Sequence, residues 1–385
     1  MNTIEIVQKQ EFDFRYKYNI IFEEIFFAKG GIVLIKGASM FACAGIGELL
    51  LKSAGVEIVI ANELLARRAD FYKCIHNTNE IIIGDIQKNE VKSEFLSKIT
   101  EDVKFLIATP PCQGVSNLGK NKNFDDKLKD PRNYLIFDVL EVIDKNDFDY
   151  ILIENVPAFL QLYLPYKNEL YNVEEILRDK YSDLYTIEAK VLNAKDYGVP
   201  QSRPRAIIKI YKIGLSWEWP IKEKEITVEE AIGYLPSLES GEKSDIKWHY
   251  ARKHTLEHIE CMQHTPTGKS AFENEIYFPK NKKGERVKGF KSTYKRMNWD
   301  RPAPAITMRS DAISSQENVH PGRLKPDGTY SDARVLSILE LLILFSIPLD
   351  TDIPDWATDT FIRQIIGEAI PPLMTQKIVG GINHD

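Results

Sequence analysis

The stretch Ile58-Val59-Ile60-Ala61-Asn62-Glu63 is an apolar run that closes on an amide and an acid, and a helix-like segment, Leu64 to Ile75, follows it. Short apolar runs of this kind read as buried strands. The unit recurs: Ile81 to Ile83, Phe105 to Ala108 and Tyr150 to Ile153 are further strands, with Tyr134 to Ile143 as a second helix-like segment. Alternating strands and helices predict an α/β fold, a mostly parallel sheet with helices on both faces. Such sheets bind ligands beyond the carboxyl ends of their strands. The polar residues that end these runs are therefore the first functional candidates.

Composition bounds the rest. A chain of 385 residues allows two or three domains. Apolar residues at 43% and charged residues at 28% exclude a disordered or collagen-like chain. The richest apolar stretch, Val335 to Phe345, is too short to span a bilayer and reads as a buried helix. No basic-then-apolar leader is visible at the start, so a cytoplasmic protein without a membrane partner is expected. The four cysteines form no Cys-x-x-Cys pair, which fits a reducing compartment. Net charge is −6, which argues against nucleic acid, but Lys280 to Arg301 holds nine basic residues against two acidic ones. From charge alone that stretch reads as a solvated loop.

Three regions differ in pattern. Phe12, Phe14, Tyr16, Tyr18, Ile20 and Phe22 alternate as a strand does, and Gly30-Gly31 precedes the apolar Ile32 to Ile35. Residues 1–35 thus read as an extension, a hairpin or edge strand. Residues 36–210 with 350–385 form the α/β domain. Residues 211–349 form a second, smaller domain and hinge, irregular and marked by Trp217, Trp219, Pro220, Pro236 and Trp248.

Four clusters carry chemistry. Phe41-Ala42-Cys43-Ala44-Gly45-Ile46-Gly47 is a glycine turn that lets a ligand approach the backbone. Glu63 and Asp85, at successive strand ends, can take ribose hydroxyls and an adenine amino group. Thr109-Pro110-Pro111-Cys112-Gln113-Gly114 presents a cysteine on a proline-stiffened turn, where a nucleophile would stand. Cys43, Cys74 and Cys261 read instead as structural thiols. Glu154-Asn155-Val156-Pro157 puts an acid at a strand end, either a proton donor or a helix cap. In Gln201-Ser202-Arg203-Pro204-Arg205, residues two apart share a face, so Gln201, Arg203 and Arg205 are expected to point together.

Taken in order, these blocks resemble the DNA cytosine-5 methyltransferases of bacterial type over about residues 38–382. Arg301-Pro302-Ala303-Pro304-Ala305-Ile306-Thr307, His320-Pro321 to Arg334, and Gly367-Glu368-Ala369-Ile370-Pro371-Pro372 match the family's later blocks. Cys43 stands where the family usually has glycine, and Glu368 where it has asparagine. The resemblance implies S-adenosyl-L-methionine as cofactor, held by Phe41, Ala44, Gly45, Gly47 and Glu63. Leu64, Asp85, Ile86, Pro110, Leu135 and Glu368 are implied to complete that site.

The same resemblance implies Cys112, Glu154, Arg203 and Arg205 as the catalytic set. It implies Gln113, Ser116, Asn155 and Gln201 as contacts to a flipped cytosine in double-stranded DNA. Lys282, Lys283 and Lys288 are then expected to meet phosphates. The family's commonest setting adds a cognate restriction endonuclease as functional partner, and a monomer is expected. No metal ligand set is visible. An RNA cytosine methyltransferase, a catalytically silent binding fold and, more distantly, a nicotinamide oxidoreductase are the other classes that these residues leave open.

Overall fold

The computed structural model describes residues 34–78, 80–111 and 130–383. The expected strand 12–22 and hairpin, together with Cys112, Gln113 and Ser116, lie outside the described residues. The chain begins with β1 (Ile35–Met40), β2 (Val56–Glu63), α1 (Ala66–His76), β3 (Ile81–Ile83), α2 (Asn89–Lys98) and β4 (Val103–Ala108). It continues with α3 (Leu135–Asp144), β5 (Tyr150–Asn155), the hairpin β6 (Tyr163–Tyr166) and β7 (Glu169–Asn172), and α4 (Val173–Tyr181). Then come β8 (Tyr185–Asn193) and β9 (Pro204–Lys212).

The main sheet runs β3-β2-β1-β4-β5-β9-β8. Its first five strands are parallel; β9 runs antiparallel to β5 and to β8, so β8 shares the direction of the five. Ile35 therefore belongs to the sheet, not to an edge extension: β1 is an interior strand, paired with β2 on one side and β4 on the other. Its sequence hid it, because Lys36, Gly37 and Ser39 interrupt the apolar run. Both faces of the sheet are covered. Leu106, Ile151 and Ile208 pack with Val139 and Ile143 of α3 on one side. On the other, Phe105, Leu152 and Ile207 pack with the chain's C-terminal residues Leu373, Met374 and Ile378.

After β9 regular structure is sparse: α5 (Val228–Ile232) and α6 (Leu256–Gln263) are short. The expected helix over Val335 to Phe345 is α7 (Ile338–Leu344), wholly buried and opened by a Ser337–Glu340 capping box. It packs with Phe361, Ile362 and Ile365 of α8 (Asp359–Glu368) in one core. That core joins α7 to the C-terminal segment that returns to the sheet and ends in α9 (Pro372–Val379). Arg334 fixes the hinge further: it is fully buried and pairs with Asp332 and Glu340 at 2.8 Å each.

Candidate active site

Parallel strands lie about 4.8 Å apart, so the order β3-β2-β1-β4-β5 sets the order of groups along the carboxyl edge. Asp85 follows β3, Glu63 ends β2, Phe41 to Gly45 follow β1, Thr109 to Pro111 follow β4, and Glu154 lies near the end of β5. The turn after β1 is tight. Gly45 has φ +75°, and a Cβ there would come within 2.5 Å of His76 and Tyr72. Phe41 and Cys43 also hold positive φ, at 59° and 52°. Left-handed backbone at non-glycine residues concentrates at ligand sites.

Glu63 is anchored from both sides. Its Oε2 accepts from the Cys43 N–H at 3.0 Å and its Oε1 from the Leu65 N–H at 2.9 Å. Burial raises its carboxyl, and the Leu65 N–H and Arg68 oppose that shift. Leu64 and Ile83 beside it are apolar yet 59% and 41% exposed. Asp85 uses one oxygen on the Gln87 N–H, leaving the other without a partner among the described residues. Fixed carboxylates beside exposed apolar side chains fit an adenosine: hydroxyls to Glu63, the ring against Leu64, its amino group to Asp85. Ala44, Ile86, Pro110 and Leu135 are buried beneath this edge, and Gly47 lies against Ile370.

The second half of the edge belongs to β5. Glu154 and Arg205 form an ion pair at 2.8 Å, with both side chains nearly buried. Burial raises the Glu154 carboxyl, opposed by Arg205 and then Arg203. Glu154 does not cap the turn at Pro157, whose cap position is Val156 without a side-chain bond. Asn155 donates to the Pro110 carbonyl at 2.8 Å and so ties the end of β5 to the chain that enters residue 112. Its side-chain oxygen accepts from Val156, so the amide braces two strand ends and does not face open space.

Gln201, Arg203 and Arg205 do not point together. Gln201 is buried, accepting from the Ile306 N–H and donating to the Leu344 carbonyl. Arg203 is buried too, and donates to the carbonyls of Ile306, Gly367 and Ala369 at 2.7 Å each. Only Arg205 turns to Glu154. Period-two alternation fails here because β9 begins at Pro204, so the first two residues precede the strand. Gln201, expected at the base, and Arg203, expected in the catalytic set beside Arg205, thus both spend their hydrogen bonds on interior bracing.

Arg68, which the sequence reading missed, lies at the same edge. Arg68 of α1 pairs with Glu368 at 2.5 Å, and the Cys43 thiol donates to the same Glu368 oxygen at 3.5 Å. Cys43 thus packs against the core of α7 and α8 and also meets Glu368. Burial pushes its thiol far up, with Glu368 and Glu63 adding to the shift and Arg68 opposing it. Adjacent arginines gave no hint of which one mattered: Arg67 lies over the Trp356 and Phe361 rings instead. In the basic stretch, Arg296 is buried, and Arg286 donates to the Phe272 and Asn274 carbonyls. Lys282, Lys283 and Lys288 are exposed and form no ion pair among the described residues.

Fold and site together define a Rossmann-like α/β methyltransferase. The chain belongs to the C-5 cytosine-specific DNA methylase family, whose model matches residues 35–384, and it is a DNA methyltransferase of that family. It is 52% identical over 352 residues to the Type II methyltransferase M1.HgaI of Avibacterium volantium, covering 91% of this chain and 99% of that one. It is 28% identical to M1.HphI of Haemophilus parahaemolyticus, covering 89% and 85%. The solved structure of Entamoeba histolytica methyltransferase EhMeth shares the fold, with a TM-score of 0.60 at 15% identity over 89% of this chain and 96% of that one.

Proposed function

We propose that the enzyme methylates carbon 5 of a cytosine flipped out of double-stranded DNA, through a covalent adduct with Cys112. The observation that carries the reading is the buried Glu154–Arg205 pair, tied through Asn155 to Pro110 two residues before Cys112. Cytosine carbon 5 is a poor nucleophile. The Cys112 thiolate adds to carbon 6, which makes carbon 5 enamine-like. Glu154, with its raised carboxyl, holds a proton at ring nitrogen 3 while charge develops there. Arg205 orients Glu154 and offers its remaining N–H groups to the base carbonyl. After methylation water takes the carbon 5 proton, the freed pair re-forms the 5,6 double bond, and the carbon 6–sulfur pair leaves with Cys112 as the thiolate.

S-adenosyl-L-methionine, held by Glu63, Asp85, Leu64 and the turn at Gly45, supplies an electrophilic methyl group. A target base inside a duplex is out of reach, so the base must leave the stack. The exposed lysines Lys282, Lys283 and Lys288 meet phosphates beside it. Similarity to M1.HgaI over 91% of this chain supports a Type II restriction–modification setting and a cognate endonuclease as functional partner, and membership of a DNA-modifying family supports a cytoplasmic location. Among the described residues no helix is long and apolar enough to cross a membrane.

The test is methyl transfer from labelled cofactor to duplex DNA and to transfer RNA, beside Cys112→Ser. Label recovered as 5-methylcytosine in DNA and lost in the variant is the expected result. Label in RNA alone overturns the substrate, and label that survives Cys112→Ser overturns the adduct.

A further inference from the structure

The Arg68–Glu368 pair has no evident structural task. It joins α1 to the last residue of α8, 300 positions apart in sequence, beside the turn after β1, with both side chains about one-fifth to one-quarter exposed. An acid at a helix C-terminus faces the negative end of the macrodipole, so this is an unfavourable place for Glu368. Its Oε2 takes both Arg68 and the Cys43 thiol, and its Oε1 has no partner among the described residues. The Arg68 guanidinium makes no other hydrogen bond among the described residues, its main-chain N–H donating to the Leu65 carbonyl. Each charge therefore retains hydrogen-bonding capacity that the described residues do not use.

The strand order says what stands there. With a purine at Asp85 by β3 and a ribose at Glu63 by β2, the remainder of the ligand extends over β1, where Cys43 and Glu368 lie. The tail of the cofactor is an amino acid, a zwitterion of one carboxylate and one ammonium. A guanidinium fork suits a carboxylate, and a carboxylate suits an ammonium. We infer that Arg68 and Glu368 together bind the amino-acid end of S-adenosylmethionine, Arg68 taking its carboxylate and Glu368 its ammonium. The inference rests on the cofactor reading above and explains how a carboxylate can stand where the family usually has a neutral amide. Without Arg68, Glu368 would repel the cofactor's carboxylate.

Calorimetric titration of the full chain with three ligands tests it. S-adenosylhomocysteine has both charges of the tail, decarboxylated S-adenosylmethionine has only the ammonium, and 5′-methylthioadenosine has neither. Arg68→Ala is expected to weaken S-adenosylhomocysteine at least about tenfold, as loss of a charge-assisted bond does. It should leave methylthioadenosine within about twofold and not weaken the decarboxylated ligand. Glu368→Gln is expected to weaken the decarboxylated ligand by about tenfold with methylthioadenosine again unchanged. Retained methylthioadenosine binding also reports that each variant is folded. A purely structural pair would weaken all three ligands alike, and that result overturns the inference. Unmodified protein that binds methylthioadenosine as tightly as S-adenosylhomocysteine overturns it while leaving the adenosyl cofactor in place. Unmodified protein that binds none of the three removes the cofactor reading and this inference together.

Discussion

Glu154 and Arg205 face each other at 2.8 Å across β5 and β9, a nearly buried ion pair at the edge where chain enters residue 112. The pair sets a balance, because burial raises the carboxyl and Arg205 lowers it. Arg205→Ala removes the larger opposing influence, so Glu154 holds its proton to higher pH. The alkaline limb of single-turnover methyl transfer should then move upward in pH as the rate falls. Glu154→Gln should lower the rate about 10²–10⁴-fold, the usual range for a lost proton donor. A near-wild-type rate in Glu154→Gln would remove Glu154 from the chemistry.

Arg203 braces the hinge and is expected to behave as a stability residue. Arg203→Lys keeps the charge but loses the fork that reaches Ile306, Gly367 and Ala369. Urea unfolding should show a loss of about 2–4 kcal/mol, as expected when buried carbonyls lose charged donors. Gly367→Ala should be at least as damaging, since a Cβ there would lie 2.2 Å from the Met308 backbone nitrogen. Unchanged unfolding in both variants would show that the hinge relaxes around these contacts.

Glu48, just past the glycine turn, titrates within the fold. Burial raises its carboxyl to about 7 from an ordinary 4.5, partly opposed by Ser39 and Tyr72. A raised folded value means stability is full below the unfolded value and falls as pH rises from about 4.5 through 7. The loss by pH 8 is up to about 3 kcal/mol. Glu48→Gln carries no such charge, so its urea stability should stay flatter between pH 5 and pH 8. Parallel curves for the two proteins would assign the pH dependence to other groups.

Lys282, Lys283 and Lys288 are exposed and free of ion pairs among the described residues. Each phosphate contact contributes about 0.9 to the slope of log affinity against log salt. Reversing all three charges should weaken DNA binding and flatten that slope, measured by fluorescence anisotropy across a salt series. An unchanged affinity and slope would take this stretch out of the interface.

The sequence alone determined the parallel α/β core and the order of the site. Strand-ending polar residues such as Glu63, Asp85 and Glu154 were legible because a parallel sheet must place them at one edge. β1 was not legible, since Lys36, Gly37 and Ser39 break its apolar run and only pairing on both sides makes it an interior strand. Side-chain direction was the other limit. Gln201, Arg203 and Arg205 have equal spacing in sequence, yet two turn into the hinge and one into the site, because carbonyls of Ile306 and Gly367 more than a hundred residues away claim Arg203. The partnership of Arg68 with Glu368 spans 300 positions and has no local signature. Local pattern reports burial and period; which charge meets which is decided by the packing that brings distant segments together.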